Sequence, residues 1–187
     1  SFIKTAVRVR PFSAREVHNH DNRCIRVQEQ TVLLNNSQTG DTKEFAFDHC
    51  LWSVDGFTQG SLNEHVTNQY IRATNDEYAD QRKVYETLGM NLLSCAFNGI
   101  HSCLLAYGVT GSGKTYTLFG DEQNPGLIRQ TIEELLWTVK STTSVRYEIT
   151  LSMTCLYNER LTDLMSGTRD NSLRSARMLY LAYSWKD

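Results

Sequence analysis

Gly108-Val109-Thr110-Gly111-Ser112-Gly113-Lys114-Thr115 is the stretch on which the reading of this chain turns. It satisfies G-x-x-x-x-G-K-[ST], a spacing with a mechanism behind it. Glycines let successive backbone N–H groups turn inward and approach anionic oxygens without a Cβ in the way. A lysine at position 114 reaches terminal phosphates as a point charge, and the Thr115 hydroxyl is suited to ligating Mg²⁺. A helix that begins here turns its positive end toward the anion. The context agrees. Ser102 to Tyr107 is a short apolar run that predicts a buried parallel strand delivering the loop, and a helix start follows. The competing reading is a glycine-rich turn that binds nothing. It is the weaker one, because glycine is not abundant enough for this pattern to arise readily by chance.

Outward from the loop, the pattern is that of an α/β domain. Upstream, Val84, Leu88, Leu92, Cys95 and Ala96 recur at three- and four-residue spacings, which predicts a helix over 79–97 ended by Asn98-Gly99. Ile3 to Val9 reads as a strand stopped by Pro11, and short strands are expected at Cys24–Gln28, Thr31–Leu34 and Lys43–Phe47. Asn35-Asn36 and Thr39-Gly40 supply turn chemistry between the last two. The polar stretch from Gly56 to Tyr78 has no period and reads as a long surface loop. Downstream, a helix is expected from Leu127 to Val139, after Pro125-Gly126. Val145, Tyr147, Ile149, Leu151, Met153, Cys155 and Tyr157 then alternate with mostly polar residues, which predicts one strand. A short helix is expected at Asn158 to Met165. Strand, helix, strand, helix, strand in this order implies a central sheet.

Composition narrows the function classes. The 187 residues carry 19 basic and 21 acidic side chains, a formal charge of −2, so no basic field advertises nucleic acid or an anionic membrane surface. No apolar stretch approaches the length of a bilayer span, so membrane insertion is not expected. Ser1-Phe2-Ile3-Lys4 has no signal core and no initiating Met, so no signal peptide is expected and the start reads as trimmed. Five cysteines without a C-x-x-C pair favour buried or half-buried thiols in a reducing compartment over disulfides or zinc. The five histidines are scattered, and His18-x-His20 is expected in a polar, solvated loop.

A phosphate loop alone does not choose among motors, kinases and other NTPases. The longer run from Leu104 to Thr117, LLAYGVTGSGKTYT, closely resembles the kinesin superfamily. Val7-Arg8-Val9-Arg10-Pro11-Phe12 looks like that family's first strand with its R-x-R-P element. Tyr157-Asn158-Glu159-Arg160 with Asp163-Leu164 resembles its Y-N-E-x-x-x-D-L element. Phe47-Asp48, Trp52-Ser53 and Tyr78-Ala79-Asp80-Gln81 with Val84-Tyr85 are similar to the Unc-104-like vesicle-transport class. These matches run in family order from about residue 3 to residue 165.

The resemblance implies a P-loop NTPase motor fold, a mostly β central sheet flanked by helices, of which this chain holds the N-terminal half. It implies residues 1–174 as a partial motor domain and 175–187 as a divergent tail. ATP and Mg²⁺ would be the cofactors, and microtubules in the cytoplasm the partner. Gly108 through Thr115 would hold the phosphates, and Thr115 the metal. Arg8, Arg10 and Pro11 would surround the adenine; the plainer reading is that Pro11 ends a strand and the arginines are solvated. Tyr116 would lie near the base or simply pack on its helix. Glu159 and Asp163 invite a reading as paired carboxylates on a helix, but the family gives them no proton-transfer role, so capping and surface pairing are expected. Phe45-Ala46-Phe47-Asp48 looks like a Walker-B strand, yet it precedes the loop and matches another family segment.

The family's γ-phosphate elements, N-x-x-S-S-R-S-H and D-L-A-G-S-E, do not occur in these residues, so no catalytic residue is assigned. In kinesins the strand before the P-loop lies between two strands from the later half, so here it is expected to lack neighbours. Val109 stands where the family usually has Gln, and Arg129 where Pro is common. Two readings follow: a motor ATPase represented by its first part, or a non-motor relative that binds nucleotide without productive hydrolysis. An unrelated P-loop phosphotransferase would need an acceptor site and a Walker-B strand, and neither is found.

Overall fold

A computed structural model describes residues 3–54, 57–59, 70–72, 78–165 and 181–183. The chain is of mixed α/β class and divides into two compact units, Ser1–Leu135 and Leu136–Asp187.

In the first unit, β1 (Ala6–Val9) pairs in parallel with β5 (His49–Trp52), in the register Ala6↔His49 to Val9↔Trp52. Asp48 pins the start of this pair. Its carboxylate accepts from Thr5 N at 2.8 Å, Thr5 Oγ1 at 3.0 Å and Lys4 Nζ at 3.1 Å. Ser53 N→Val9 O at 3.0 Å and Ala79 N→Trp52 O at 2.7 Å then carry the chain from the strand pair into the helical layer. The expected strands around residue 30 form the meander β2 (Ile25–Gln28), β3 (Thr31–Asn35) and β4 (Thr42–Ala46), with Val27, Val32 and Phe45 in one cross-strand row. β5 itself was not expected, because its four residues carry no period of their own.

The expected helix over 79–97 is present with an irregularity that no periodicity announced. α2 (Gln81–Val84) is capped by Asp80, whose Oδ1 accepts from Lys83 N at 2.7 Å. It passes into a π-helical turn, Tyr85–Gly89, where Met90 N donates to Tyr85 O, and then into α3 (Met90–Phe97). Gly89 is required in this turn: a Cβ there would lie on the Tyr85 ring and 3.3 Å from Leu127 Cδ2. Leu51, Ala79, Val84, Tyr85 and Leu127 form the core, with Leu88 and Leu118 packed against it. Tyr85 is fully buried, and its hydroxyl donates to Glu134 Oε2 at 2.9 Å. Burial, together with that bond to the carboxylate, pushes the phenol well above its ordinary range.

Several expectations are corrected. Ala14–His18 is a short helix, α1, closed by a capping box between Ser13 and Glu16, so His18 ends a helix rather than lying in a loop. Within the expected loop 56–78, β6 (Phe57–Gln59) pairs with β7 (Tyr70–Arg72); the rest of that loop except Tyr78 lies outside the described residues. Ser102–Tyr107 is not a buried strand. It has no ladder partner among the described residues, and Leu105 is 72% and Tyr107 97% exposed. A strand exists only by pairing, so an apolar run with no ladder partner among the described residues stays irregular. The described strands accordingly form short separate ladders, not one continuous sheet.

The expected helices after the loop are α4 (Lys114–Leu118) and α5 (Leu127–Ser141), the latter running two residues past its expected end. In the second unit, the single strand expected over 145–157 is broken into β8 (Ile149–Leu151) and β9 (Thr154–Tyr157). β8 pairs with β11 (Leu181–Tyr183) and β9 with β10 (Arg160–Asp163). The helix expected at 158–165 is therefore a β-hairpin. Asn158 and Glu159 both take positive φ, 47° and 61°, the two-residue turn that matches strand twist. Glu159 and Asp163 do not share a helix face, and Asp163 Oδ1 accepts from Met165 N at 2.8 Å.

Candidate phosphate-binding site

The loop is built on three glycines at positive φ: Gly108 at 153°, Gly111 at 79° and Gly113 at 95°. Gly113 caps α4 from the left-handed region, a geometry that side-chain-bearing residues resist. A Cβ on Gly108 would lie 2.6 Å from Ser112 Oγ, whereas the same addition at Gly111 meets open space. Ser112 N donates back to Val109 O at 3.1 Å and tightens the turn. Among the described residues, Ser112 Oγ is buried with no protein hydrogen-bond partner. Lys114 Nζ lies across the loop, donating to Gly108 O at 2.7 Å and Val109 O at 2.8 Å. The ammonium is thus held over the cradle. Thr110 and Thr115 are exposed, and Val109 is 79% exposed.

These features fit a polyphosphate. The glycines leave backbone amides approachable, one buried hydroxyl is unsatisfied, and one fixed cation stands over the turn. The described residues contain no cluster of three or more His, Cys, Asp or Glu able to hold a metal. A divalent ion here would therefore draw its ligands from the Thr115 hydroxyl and from the phosphates themselves.

β1 delivers the other residues read from the sequence. Arg10 lies beside the loop: its Cβ and Cδ are 3.9 and 4.0 Å from where a Cβ on Gly113 would stand. Its guanidinium forms a two-point pair with Glu16, both contacts at 2.7 Å, and donates to Pro11 O at 2.7 Å. Glu16 also accepts from Ser13 N at 2.6 Å, so one carboxylate caps α1 and fixes Arg10. Arg10, and then the Ser13 bonds, hold the Glu16 carboxyl down at about 2. Pro11 is exposed beside this pair.

Arg8 takes a different place, beneath α4. Its Nε donates to Ser53 Oγ at 3.0 Å, and Nη1 donates to Gln81 Oε1 at 2.7 Å and Thr117 Oγ1 at 3.0 Å. Its guanidinium carbon lies 5.5 Å from the centroid of the Tyr116 ring. Burial lowers its pKa, with the Tyr116, Tyr78 and Asp80 fields working against that. Gln81 carries the network on: its Nε2 donates to Tyr116 O at 2.7 Å. Gln130 Nε2 in turn donates to Gln81 O at 3.1 Å and Pro125 O at 2.7 Å.

The structure thus sets Arg10 beside the loop at Gly113, with Pro11 next to it in the chain, and Arg8 beneath α4 against Tyr116. Sequence reading missed Glu16, Ser53, Gln81, Thr117 and Gln130. The Ser13-x-x-Glu16 box was a readable signal for the first. The others meet Arg8 and one another across long separations, for which no spacing rule exists.

A family model described as "Kinesin motor domain" matches residues 8–180. Human kinesin-like protein KIF13B is 34% identical over 175 residues, covering 88% of this chain and 9% of that protein. Kinesin-like protein unc-104 of Caenorhabditis elegans is 34% identical over 181 residues, covering 93% of this chain and 10% of that protein. A solved KIF14 dimer with AMP-PNP, in complex with a microtubule, superposes with a TM-score of 0.76 at 31% identity; it covers all of this chain and 50% of that one. The chain therefore spans about a tenth of the length of these curated relatives and half of the solved motor chain.

Proposed function

This chain belongs to the kinesin motor-domain family, and from that premise we propose that it forms the nucleotide-holding part of an ATP-driven microtubule motor. Nucleotide binding follows from the family; ATP with Mg²⁺ as the particular ligand is our reading. The observation that carries it is the loop at Gly108–Thr115, with three left-handed glycines, an ammonium fixed over the turn and a buried hydroxyl lacking a partner.

In this reading Gly108, Val109, Thr110, Gly111, Ser112 and Gly113 wrap the phosphates with their backbone amides. Lys114 exchanges its loop carbonyls for phosphate oxygens, a charge-assisted contact. Thr115 supplies the protein's metal ligand. Arg10 and Pro11 stand on the base side, and Tyr116 offers its ring there with Arg8 behind it. When bound, Mg²⁺ neutralises charge on the phosphate oxygens; the chain's own residues bind and orient.

Hydrolysis needs a water-positioning group and γ-phosphate contacts acting together with the loop. The family strings that supply them do not occur among the 187 residues. These residues alone are therefore expected to bind ATP and turn it over little, the alternative reading of a nucleotide binder without productive hydrolysis. Microtubule binding and a place on the cytoplasmic cytoskeleton are proposed for the motor to which the sequence belongs.

The test is titration with a fluorescent ATP analogue, with and without Mg²⁺, followed by turnover measurements with and without microtubules. Saturable binding strengthened by Mg²⁺ is expected, with turnover near background. Absence of binding by the folded chain would overturn the nucleotide reading. Microtubule-stimulated hydrolysis by these residues alone would overturn the limit placed on turnover.

A further inference from the structure

We propose that Arg8, Gln81 and Thr117 form a positioning brace that fixes α4 from its far end and so aims Lys114 and Thr115. The proposal rests on the nucleotide reading of the loop, but its structural half is measurable without any nucleotide.

α4 has five residues, too few to hold themselves helical in water. Its own backbone gives Thr117 N→Gly113 O and Phe119 N→Thr115 O, both at 2.8 Å. Other elements hold it as well. Leu118 packs on the core. Gln81 Nε2 takes the Tyr116 carbonyl, and Arg8 Nη1 takes the Thr117 hydroxyl. Both braces are then tied off. Gln81, 7% exposed, receives the second Arg8 bond, and Gln130 holds its backbone carbonyl. Ser53, 3% exposed, accepts from Arg8 Nε and donates to Ala79 O at 2.6 Å. The guanidinium is the cation at the centre of this network, and Ser53 Oγ, Gln81 Oε1 and Thr117 Oγ1, which accept from it, are neutral. A fork of rigid N–H donors suits that task, and an ammonium does not.

The geometry separates the two arginines of the R-x-R-P element. Arg10 lies along the loop at Gly113, while Arg8 acts through α4 and the Tyr116 ring. Arg8, Gln81 and Thr117 are therefore positioning residues, coupled to the phosphate only by where they hold Lys114 and Thr115. Small misplacements of such groups weaken contacts that depend on alignment.

Thr117 provides the mildest test. Thr117→Val keeps shape and removes the hydroxyl; Thr117→Ser keeps the hydroxyl. Backbone amide exchange and fluorescent-ATP titration are measured on wild type and both variants. In Thr117→Val the Thr117 and Phe119 amides (the former now on valine) should exchange about 10-fold faster, the loss of one hydrogen bond to a charged group. The Val84 amide, bonded to Asp80 O in α2, should be unchanged. Affinity for the ATP analogue should fall about 3- to 10-fold with the chain still folded, and Thr117→Ser should restore both exchange and affinity. Unchanged α4 exchange in Thr117→Val would overturn the brace. Faster exchange with wild-type affinity would overturn its positioning role. Faster exchange in a chain whose wild type binds no nucleotide would uphold the brace and remove the nucleotide reading instead.

Discussion

The two ends of the phosphate loop are held in contrasting ways. Beyond it, α4 is fastened by Arg8, Gln81 and the core contact of Leu118. Ahead of it, residues 102–107 carry an apolar sequence, yet they form no ladder among the described residues and expose Leu105 and Tyr107. Hydrophobicity was sufficient for neither outcome. α4 is ordered because polar groups far away in sequence converge on it. The approach segment is irregular because strand formation is a property of pairs, and its apolar side chains alone recruit none.

The sharpest way to break that comparison is to cut apolar contacts on each side. Leu127→Ala, in the core that Leu118 joins, should cost about 2–5 kcal/mol in denaturant unfolding, whereas Leu105→Ala should stay within about 0.5 kcal/mol. A comparable loss at Leu105 would mean that the approach segment is packed after all.

Lys114→Ala tests the loop between the two sides. It should weaken ATP about 10- to 100-fold, matching the loss of hydrogen bonds from a charged donor. Undiminished affinity would remove the phosphate site altogether.

Tyr85→Phe probes the braced side more finely. Deleting the hydroxyl that meets Glu134 should lower stability by about 1 kcal/mol, read from the unfolding midpoint, with nucleotide affinity unchanged.

The smallest effect concerns Glu16, which is half-buried at the surface. Its carboxyl is depressed from an ordinary value near 4.5 to about 2 by Arg10 and the Ser13 bonds. A depressed acid contributes stability that is complete above its unfolded pKa and is lost as pH falls through the folded one. Its contribution should fade between pH about 4.5 and about 2, and Glu16→Gln should flatten that part of an acid titration. Asp48, held down by Thr5 and Lys4, remains and keeps the curve from becoming flat. An acid limb identical to wild type would show that the Arg10–Glu16 pair is not formed in solution.

Much of this was readable in the sequence, and the failures have physical causes. The loop at Gly108–Thr115 was legible because each residue type is demanded locally by phosphate chemistry. The helix near Val84, α5 and the meander β2–β4 were legible because period and turn residues are local as well. Ser102–Tyr107 and Asn158–Met165 failed for opposite reasons. The first needed a partner that composition cannot supply. The second was decided by two left-handed residues, Asn158 and Glu159, against a helical pattern. Ser13-x-x-Glu16 announced α1 and was passed over. Gln81 could not have been found, since nothing in a sequence says which buried amide will meet a helix thirty-five residues later.

The π-helical turn at Tyr85–Gly89 has a consequence for angular phase. In an unbroken α-helix, Gln81 and Leu93 would point about 120° apart, since each residue advances about 100°. One inserted residue absorbs about a full step and brings the two to within about 20° of each other. That is why Gln81 can lie under the phosphate-loop helix while Leu93, three turns on, is still buried. Deleting one residue from this turn would leave a more regular helix in which the same two residues still lie within about 20° of each other, so it is the extra residue that the bulge accommodates.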